Sequence, residues 1–357
     1  RLHELTDGCC KPALPFGGMH RIADWTLANL EGAQLGPVVV ATQYKPAALR
    51  AHLERRWSPR LGGRLVMVDG AQTGEPFAGT ADAVRKTLDR VRAQGASTVL
   101  VVAADHVYRM DYTAIIDAHR AGGAPVTVAV DAVPRAGAQG FGIVEAGDGR
   151  RIAAFHEKPG DPPCMPGDEQ RALASMGVYV FDLGWLEGAL GRGGDDFGYD
   201  VLPEAVSRGE AAFHRARRPD GTPVYWQDVG TLDSYRAVWL ALESDPTLCP
   251  GPFGANVIKP PLAGRRWIER GVVAMPGSRV HRDARISRAI VAPGVELDGS
   301  ECIGEDWHED ARWFRITRAG TRLVTRAMVE RRAESCARLY AVGLAGPRQF
   351  GKNSGRV

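Results

Sequence analysis

Several things are scarce in this chain of 357 residues. No apolar run approaches the roughly 20 residues that a helix needs to cross a bilayer, so the sequence offers no helical membrane span. The six cysteines, at positions 9, 10, 164, 249, 302 and 336, show no C-x-x-C spacing. That argues against a zinc ribbon or a disulfide scaffold and suits a reduced, cytoplasmic protein. An excess of one charge is also missing, with 45 Lys and Arg against 42 Asp and Glu and a formal net charge of +3. No nucleic-acid or membrane partner is expected on that basis. No secretory signal is visible, and a first residue of Arg1 rather than Met predicts further residues upstream.

The charge that is present is uneven. From Ala311 to Val357 there are 11 Lys or Arg against 2 acidic residues. The basic end could meet an anion or a partner subunit, but a solvated Arg-rich helix with a disordered end is the plainer reading. Hydrophobic residues make up 44% and charged residues 24%. That composition is ordinary for a soluble globular protein, and the length allows two domains.

The organising stretch is Ser97 to Asp111. Val99 to Ala104 is an unbroken, β-branched apolar run that suits a central parallel strand buried on both faces. It stops at Asp105 and His106. In an open α/β sheet, ligands bind at the carboxyl ends of strands, and a carboxylate there suits Mg²⁺. The competing reading makes Asp105 a cap for the helix starting near Asp111. Around this stretch the pattern predicts helices over 21–30, 46–56, 80–94 and 112–120, and strands over 37–42, 64–68 and 125–132. Such β–α alternation predicts a parallel, doubly wound sheet. Lys11-Pro-Ala-Leu-Pro15 is too proline-rich for a helix and reads as an extended loop.

A small hairpin over 141–144 and 152–155 follows, turning at Gly147-Asp-Gly149. After it come a strand over 176–181, a loop over 191–194 and a helix over 235–243. Five prolines and two glycines between Pro246 and Pro261 read as a linker. Beyond it, Pro276-Gly277 and Pro293-Gly294 lie 17 residues apart, and Val280, Ile286, Val291, Leu297 and Ile303 recur at about six-residue spacing. This reads as a hexapeptide β-helix of about two coils, with a pair of ordinary β-turns as the alternative. Trp307 to Arg332 reads as an extended segment followed by a short helix. The expected division is 1–245 catalytic, 246–265 linker, 266–332 β-helix and C-terminal segment, and 333–357 basic tail.

Three further motifs carry chemistry. Gly79-Thr-Ala-Asp-Ala-Val84 opens a helix, and free N–H groups at such an end favour phosphate or a base edge; Thr80 as a plain N-cap is the alternative. Glu157-Lys158-Pro159 offers a compact cation for a phosphate, or simply an exposed lysine. Asp228-Val-Gly-Thr231 places a second carboxylate before a tight turn, or an ordinary helix-start Asp. Together these features suggest metal-assisted nucleotidyl transfer.

The stretches RLHELT, KPALPFGG, HRIADW, GTADAV, AADHVYRMDY, HEKP, LASMGVYVFD, DFGYDVLPE, YWQDVGTLDSY and EDARWF run in order from Arg1 to about Glu330. In these the chain resembles bacterial ADP-glucose pyrophosphorylase, a sugar nucleotidyltransferase. The resemblance implies a Rossmann-like, GT-A-like mixed sheet followed by a short left-handed β-helix. It implies that ATP and α-D-glucose 1-phosphate are converted to ADP-glucose and pyrophosphate with Mg²⁺, in a homo-oligomer expected to be a tetramer. It implies Mg²⁺ on Asp105 and Asp228, and sugar-phosphate contacts from Phe77, Gly142, Glu157, Lys158 and Ser175. Arg1, Lys11, Gly79, Thr80 and Asp105 fall at nucleotide-binding positions, with Asp105, Lys11 and Lys158 catalytic and Arg21 at a phosphate or effector position.

The departures from the family pattern are local. The family's glycine-rich phosphate loop would lie before Arg1. Pro76-Phe77-Ala78 keeps an aromatic ring but loses a hydroxyl, Ala104 stands for a glycine, and Gly8-Cys9-Cys10 replace a basic pair. The last of these predicts weak responses to fructose 1,6-bisphosphate and AMP. A weakly catalytic regulatory paralogue and a UTP- or dTTP-dependent sister enzyme are the alternative functions.

Overall fold

The computed structural model describes residues 1–72, 74–93, 95–245, 248 and 270–341. The expected linker lies outside the described residues apart from Leu248, as do residues 342–357 of the basic tail. The chain packs as two units. One comprises residues 6–230, and the other gathers residues 1–5, 231–244 and the described residues from 270 onward.

In the larger unit, the strands are β1 (Val38–Thr42), β2 (Leu65–Asp69), β3 (Thr98–Val102), β4 (His106–Arg109), β5 (Val126–Pro134), β6 (Gly142–Ala146), β7 (Ile152–Glu157), β8 (Arg171–Asp182), β9 (Ala211–Arg215) and β10 (Tyr225–Asp228). The helices are α1 (Ile22–Gly32), α2 (Ala47–Arg56), α3 (Thr80–Arg85), α4 (Leu88–Arg92), α5 (Tyr112–Gly122), α6 (Leu183–Gly191) and α7 (Leu202–Ser207). A six-stranded sheet runs β7-β6-β8-β5-β9, with β3 paired to β8. The sheet is mixed. β5 and β9 are parallel, whereas β8 is antiparallel to β3, β5 and β6. β1 and β2 form a separate parallel pair. Val126, Val128, Val130, Phe181, Leu186 and Leu202 are fully buried on the face covered by α6 and α7.

Three expectations are corrected here. β3 is not a central parallel strand buried on both faces. It is antiparallel to β8, only Val99 among its residues is buried, and β1 and β3 both line one cleft, where neither has a second strand partner among the described residues. An all-apolar run reports partial burial against helices as readily as a central place in a sheet. The single helix over 80–94 is two helices broken after Arg85, where Thr87 turns its hydroxyl onto the Ala83 carbonyl at 2.9 Å. Lys11–Ala13 is a short 3₁₀ turn, because a proline at the second position removes only an N–H that needs no helical partner.

The smaller unit contains α8 (Leu232–Ser244), β11 (Val272–Ala274), β12 (Arg279–Val280), β13 (Arg285–Ile286), β14 (Ala289–Val291), β15 (Glu296–Leu297), β16 (Cys302–Ile303), α9 (Trp307–Trp313), β17 (Arg315–Ile316), β18 (Arg322–Val324) and α10 (Arg326–Ala341). β11 pairs with β14, β12 with β15 and β13 with β16, all parallel. Val272 opposes Ala289, Arg279 opposes Glu296 and Arg285 opposes Cys302, each 17 positions on. That offset equals the Pro-Gly spacing. Gly277 and Gly294 carry φ of 86° and 76°, so each corner needs a residue without a Cβ. Val280, Ile286, Val291, Leu297 and Ile303 all point inward and are buried, as the hexapeptide rhythm of a left-handed β-helix requires. The stretch expected to be extended after Trp307 begins instead as α9. Asp306 caps it, accepting from the His308 and Glu309 amides at 2.8 and 3.1 Å.

Candidate active site

Asp105 and Asp228 are 123 residues apart in sequence and are brought together by one short ladder. β4 pairs antiparallel with β10, and Asp228 stands directly opposite His106, one residue from Asp105. Neither carboxylate caps a helix. Asp111 caps α5 at 2.9 Å from the Thr113 amide, and Thr231 with Ser234 closes the start of α8. Asp228 folds back over Gly230, where a Cβ would stand 2.8 Å from its Oδ2. α1 seats the other carboxylate. Thr26 Oγ1 donates to the Ala103 carbonyl at 3.1 Å, and Asn29 Nδ2 donates to the Tyr108 carbonyl at 3.2 Å, one contact on either side of Asp105.

The two carboxylates converge on a single cation. Lys11 Nζ lies 3.1 Å from Asp105 Oδ2 and 2.8 Å from Asp228 Oδ1. Burial raises the Asp105 pKa, but the charges of His106 and Lys11 and the Lys11 hydrogen bond outweigh it and leave the group below its ordinary value. Among the described residues, no three His, Cys, Asp or Glu converge as a complete metal cage. Two carboxylate oxygens aimed at one positive point, with other positions open to phosphate and water, match what Mg²⁺ takes in nucleotide sites.

The opposite corner is built differently. Lys158 is a non-glycine residue with φ of 48°, a sparsely populated conformation that costs on the order of 1–3 kcal/mol. Its ammonium donates to Glu157 Oε1 and sits 5.8 Å from the Tyr199 ring centroid. The Glu157 hydrogen bond holds the Lys158 pKa above its ordinary value against partial burial. Thr80 is not the cap of α3, whose N-cap is Gly79. Thr80 Oγ1 instead donates to Asp196 at 3.1 Å and accepts from the Phe197 amide at 3.1 Å. Asp196 in turn caps its own turn, accepting from the Gly198 and Tyr199 amides.

The sequence-predicted residues divide cleanly. Lys11, Thr80, Asp105, Glu157 and Lys158 line one cleft of about 1120 Å³, and Asp228 joins them through Lys11. Gly142 opposes Glu157 across the β6–β7 hairpin, where a Cβ would meet the Phe155 ring at 2.5 Å. Ser175 is buried beside Tyr179, its hydroxyl 3.3 Å from the phenol, and burial pushes that phenol up to about 12. Phe77 packs against Gly70 and exchanges backbone hydrogen bonds with the Gln43 amide, so the structure does not bring it to the cleft. Arg1 packs with the smaller unit and does not line the cleft. Arg21 spends its guanidinium on the Ala13 carbonyl, at the end of the turn that presents Lys11. Sequence reasoning passed over His106, Trp226 and Asp196. Only the adjacency of His106 to Asp105 could have flagged them.

Comparisons with known proteins show the family and the two kinds of domain. The family described as Nucleotidyl transferase matches residues 1–245, and the one described as GlmU-like, C-terminal hexapeptide matches residues 267–324. A glucose-1-phosphate adenylyltransferase of Jannaschia sp. is 35% identical over 399 aligned residues, covering 94% of this chain and 95% of that protein. The chain belongs to the glucose-1-phosphate adenylyltransferase family. The enzyme of that name from Granulibacter bethesdensis is 35% identical, covering 93% and 94% of the two chains. The one from Bradyrhizobium diazoefficiens is 34% identical with the same coverage. An aligned length of 399 exceeds the 357 residues here, so the relatives carry segments that this adenylyltransferase family member lacks.

Proposed function

We propose that this chain transfers the AMP part of ATP to α-D-glucose 1-phosphate, giving ADP-glucose and pyrophosphate for α-glucan synthesis. The observation that carries the reading is the convergence of Asp105 and Asp228 on one cationic point, in the same cleft as Lys158. A phosphate oxygen of the sugar phosphate forms a bond to the α-phosphorus of ATP as the bond from that phosphorus to the β-phosphate oxygen breaks. Pyrophosphate leaves with the electron pair. The attacking oxygen is already ionised, so no protein nucleophile or base is required. Bringing two anions together is the main barrier, and positioning with charge neutralisation lowers it.

Lys158 holds the sugar phosphate, with Glu157, Gly142 and Ser175 shaping the sugar's pocket. Gly79 and Thr80 border the base, and Lys11 stands by the triphosphate. Asp105 and Asp228 would hold Mg²⁺, which neutralises phosphate charge when bound. Phe77 and Arg1 have no such support and would need to move to reach substrate. In the same reading, residues 1–245 form the catalytic domain of a cytoplasmic homotetramer. Among the described residues no helix is long and apolar enough to cross a membrane.

The test is product analysis. Incubation with ATP, glucose 1-phosphate and Mg²⁺ should yield ADP-glucose and pyrophosphate in equal amounts, and excess chelator should stop both. Pyrophosphate without ADP-glucose would overturn the assignment.

A further inference from the structure

The imidazole of His106 lies between the two carboxylates, and nothing in the proposed chemistry uses it. Its Nε2 is 3.7 Å from Asp105 Oδ1 and 3.8 Å from Asp228 Oδ1. Its other nitrogen, Nδ1, has two polar neighbours. The Trp226 indole Nε1 is 3.3 Å away and the Met176 carbonyl oxygen is 3.4 Å away. The two make opposite demands, because the indole can only donate and the carbonyl can only accept.

The indole decides between them. Trp226 is buried, with 6% of its surface exposed, and it packs edge-on to His106 with ring centroids 5.5 Å apart. Its N–H finds Nδ1 as a partner. An orphaned buried N–H is rarer and costlier than a carbonyl with a spare lone pair. In the neutral imidazole Nδ1 is therefore the acceptor, and the ring proton sits on Nε2, facing both carboxylates. The opposite tautomer would aim a lone pair at two anions.

We propose that His106 is a positioning residue for the carboxylate pair, set in its working tautomer by Trp226. Its N–H faces Asp105 Oδ1 and Asp228 Oδ1 and keeps the two carboxylates splayed about the point that Lys11 occupies, on Asp105 Oδ2 and Asp228 Oδ1. Outer-shell donors of this kind fix the orientation of metal-binding carboxylates, and their loss typically costs about 10- to 100-fold in metal affinity. The role rests on the proposed function, in which these carboxylates hold the metal.

The experiment compares H106Q, H106N and H106L with the parent, using Mn²⁺ alone and no nucleotide, with binding read by electron paramagnetic resonance. Gln carries a donor near the Nε2 position, whereas Asn places its amide near Nδ1. H106Q should bind Mn²⁺ within about threefold of the parent, while H106N and H106L should bind about tenfold or more weakly. The H106Q and H106N pair, both polar, keeps the comparison valid if H106L folds poorly, and only Asn also offers an acceptor to Trp226. Trp226→Phe supplies the second arm. In ¹⁵N-histidine-labelled protein the parent should show Nδ1 unprotonated and Nε2 protonated at His106, and W226F should show a mixture. Equal Mn²⁺ affinity in all three His106 variants, or an Nδ1–H tautomer in the parent, overturns the proposal. Both readouts hold whether or not ADP-glucose forms, so a failure of the functional reading would be seen separately.

Discussion

The two corners of the cleft reach their geometry by opposite routes. Asp105 and Asp228 are joined across 123 residues by a ladder of four-residue strands, tied by Lys11 and underpinned by α1. Glu157 and Lys158 are chain neighbours, held by a single residue in an unusual backbone conformation at the end of a hairpin. The carboxylate corner therefore depends on tertiary packing, and the lysine corner on local backbone shape. Damage to the core should reach the first corner and spare the second.

Asp24 offers the largest test of that difference. It is fully buried in α1, 2.6 Å from both His52 Nε2 and Trp57 Nε1. Burial raises its pKa, but hydrogen bonds from His20, His52 and Trp57 outweigh this and hold the carboxyl well below the usual range. A depressed carboxylate stabilises the fold above its unfolded pKa, and that contribution is lost as pH falls toward the depressed value. Asp24→Ala should cost about 3–5 kcal/mol in denaturant unfolding at neutral pH, with a smaller loss below pH ~4. In the protein that remains folded, kcat should fall while KM for glucose 1-phosphate stays unchanged.

Direct removal of a charge comes next. Asp105→Asn keeps the shape but removes one negative charge, and steady-state rates at saturating Mg²⁺ should show kcat lower by about 100- to 1000-fold. Near-normal turnover would detach this residue from the chemistry. Lys158→Ala should instead raise KM for glucose 1-phosphate about 10- to 100-fold and leave KM for ATP within twofold, because a charge-assisted contact to one substrate is lost. Equal changes in both constants would mean that the two corners share their substrates.

Part of this contrast was legible in the sequence. The strands over 37–42 and 64–68, the helix over 112–120, the hairpin at Gly147-Asp-Gly149 and the six-residue rhythm of the β-helix all report local periodicity, and they stand where that periodicity puts them. The β4–β10 ladder did not show. Strands of four residues carry little periodic signal, and their pairing is a tertiary fact. For the same reason His106 and Trp226 could not be seen as a pair. The sense of β3 was misread because an all-apolar run does not say which strand lies beside it. Residues 307–313 were read as extended although Asp306 and Glu309 stand at N-cap spacing. Phe77 was placed by family likeness alone, and in the structure it packs against Gly70, outside the lining of the cleft.

The smallest effect isolates Lys11. With no divalent cation, its ammonium neutralises two converging carboxylates. Lys11→Met should lower the melting temperature by about 1–2 °C in chelator, as loss of about 1 kcal/mol does in a protein of this size. Saturating Mg²⁺ should restore more of that loss than it adds to the parent, since a ligand bound only by the folded state stabilises it. Equal Mg²⁺ shifts in K11M and parent, read by calorimetry, would separate the lysine from the cation point.

The most direct measurement is the initial rate of pyrophosphate release with glucose 1-phosphate and ATP, UTP or dTTP in turn. The account predicts that ATP exceeds the others by at least tenfold in kcat/KM and that ADP-glucose is the product. A preference for UTP or dTTP, or release that does not depend on glucose 1-phosphate, would contradict it.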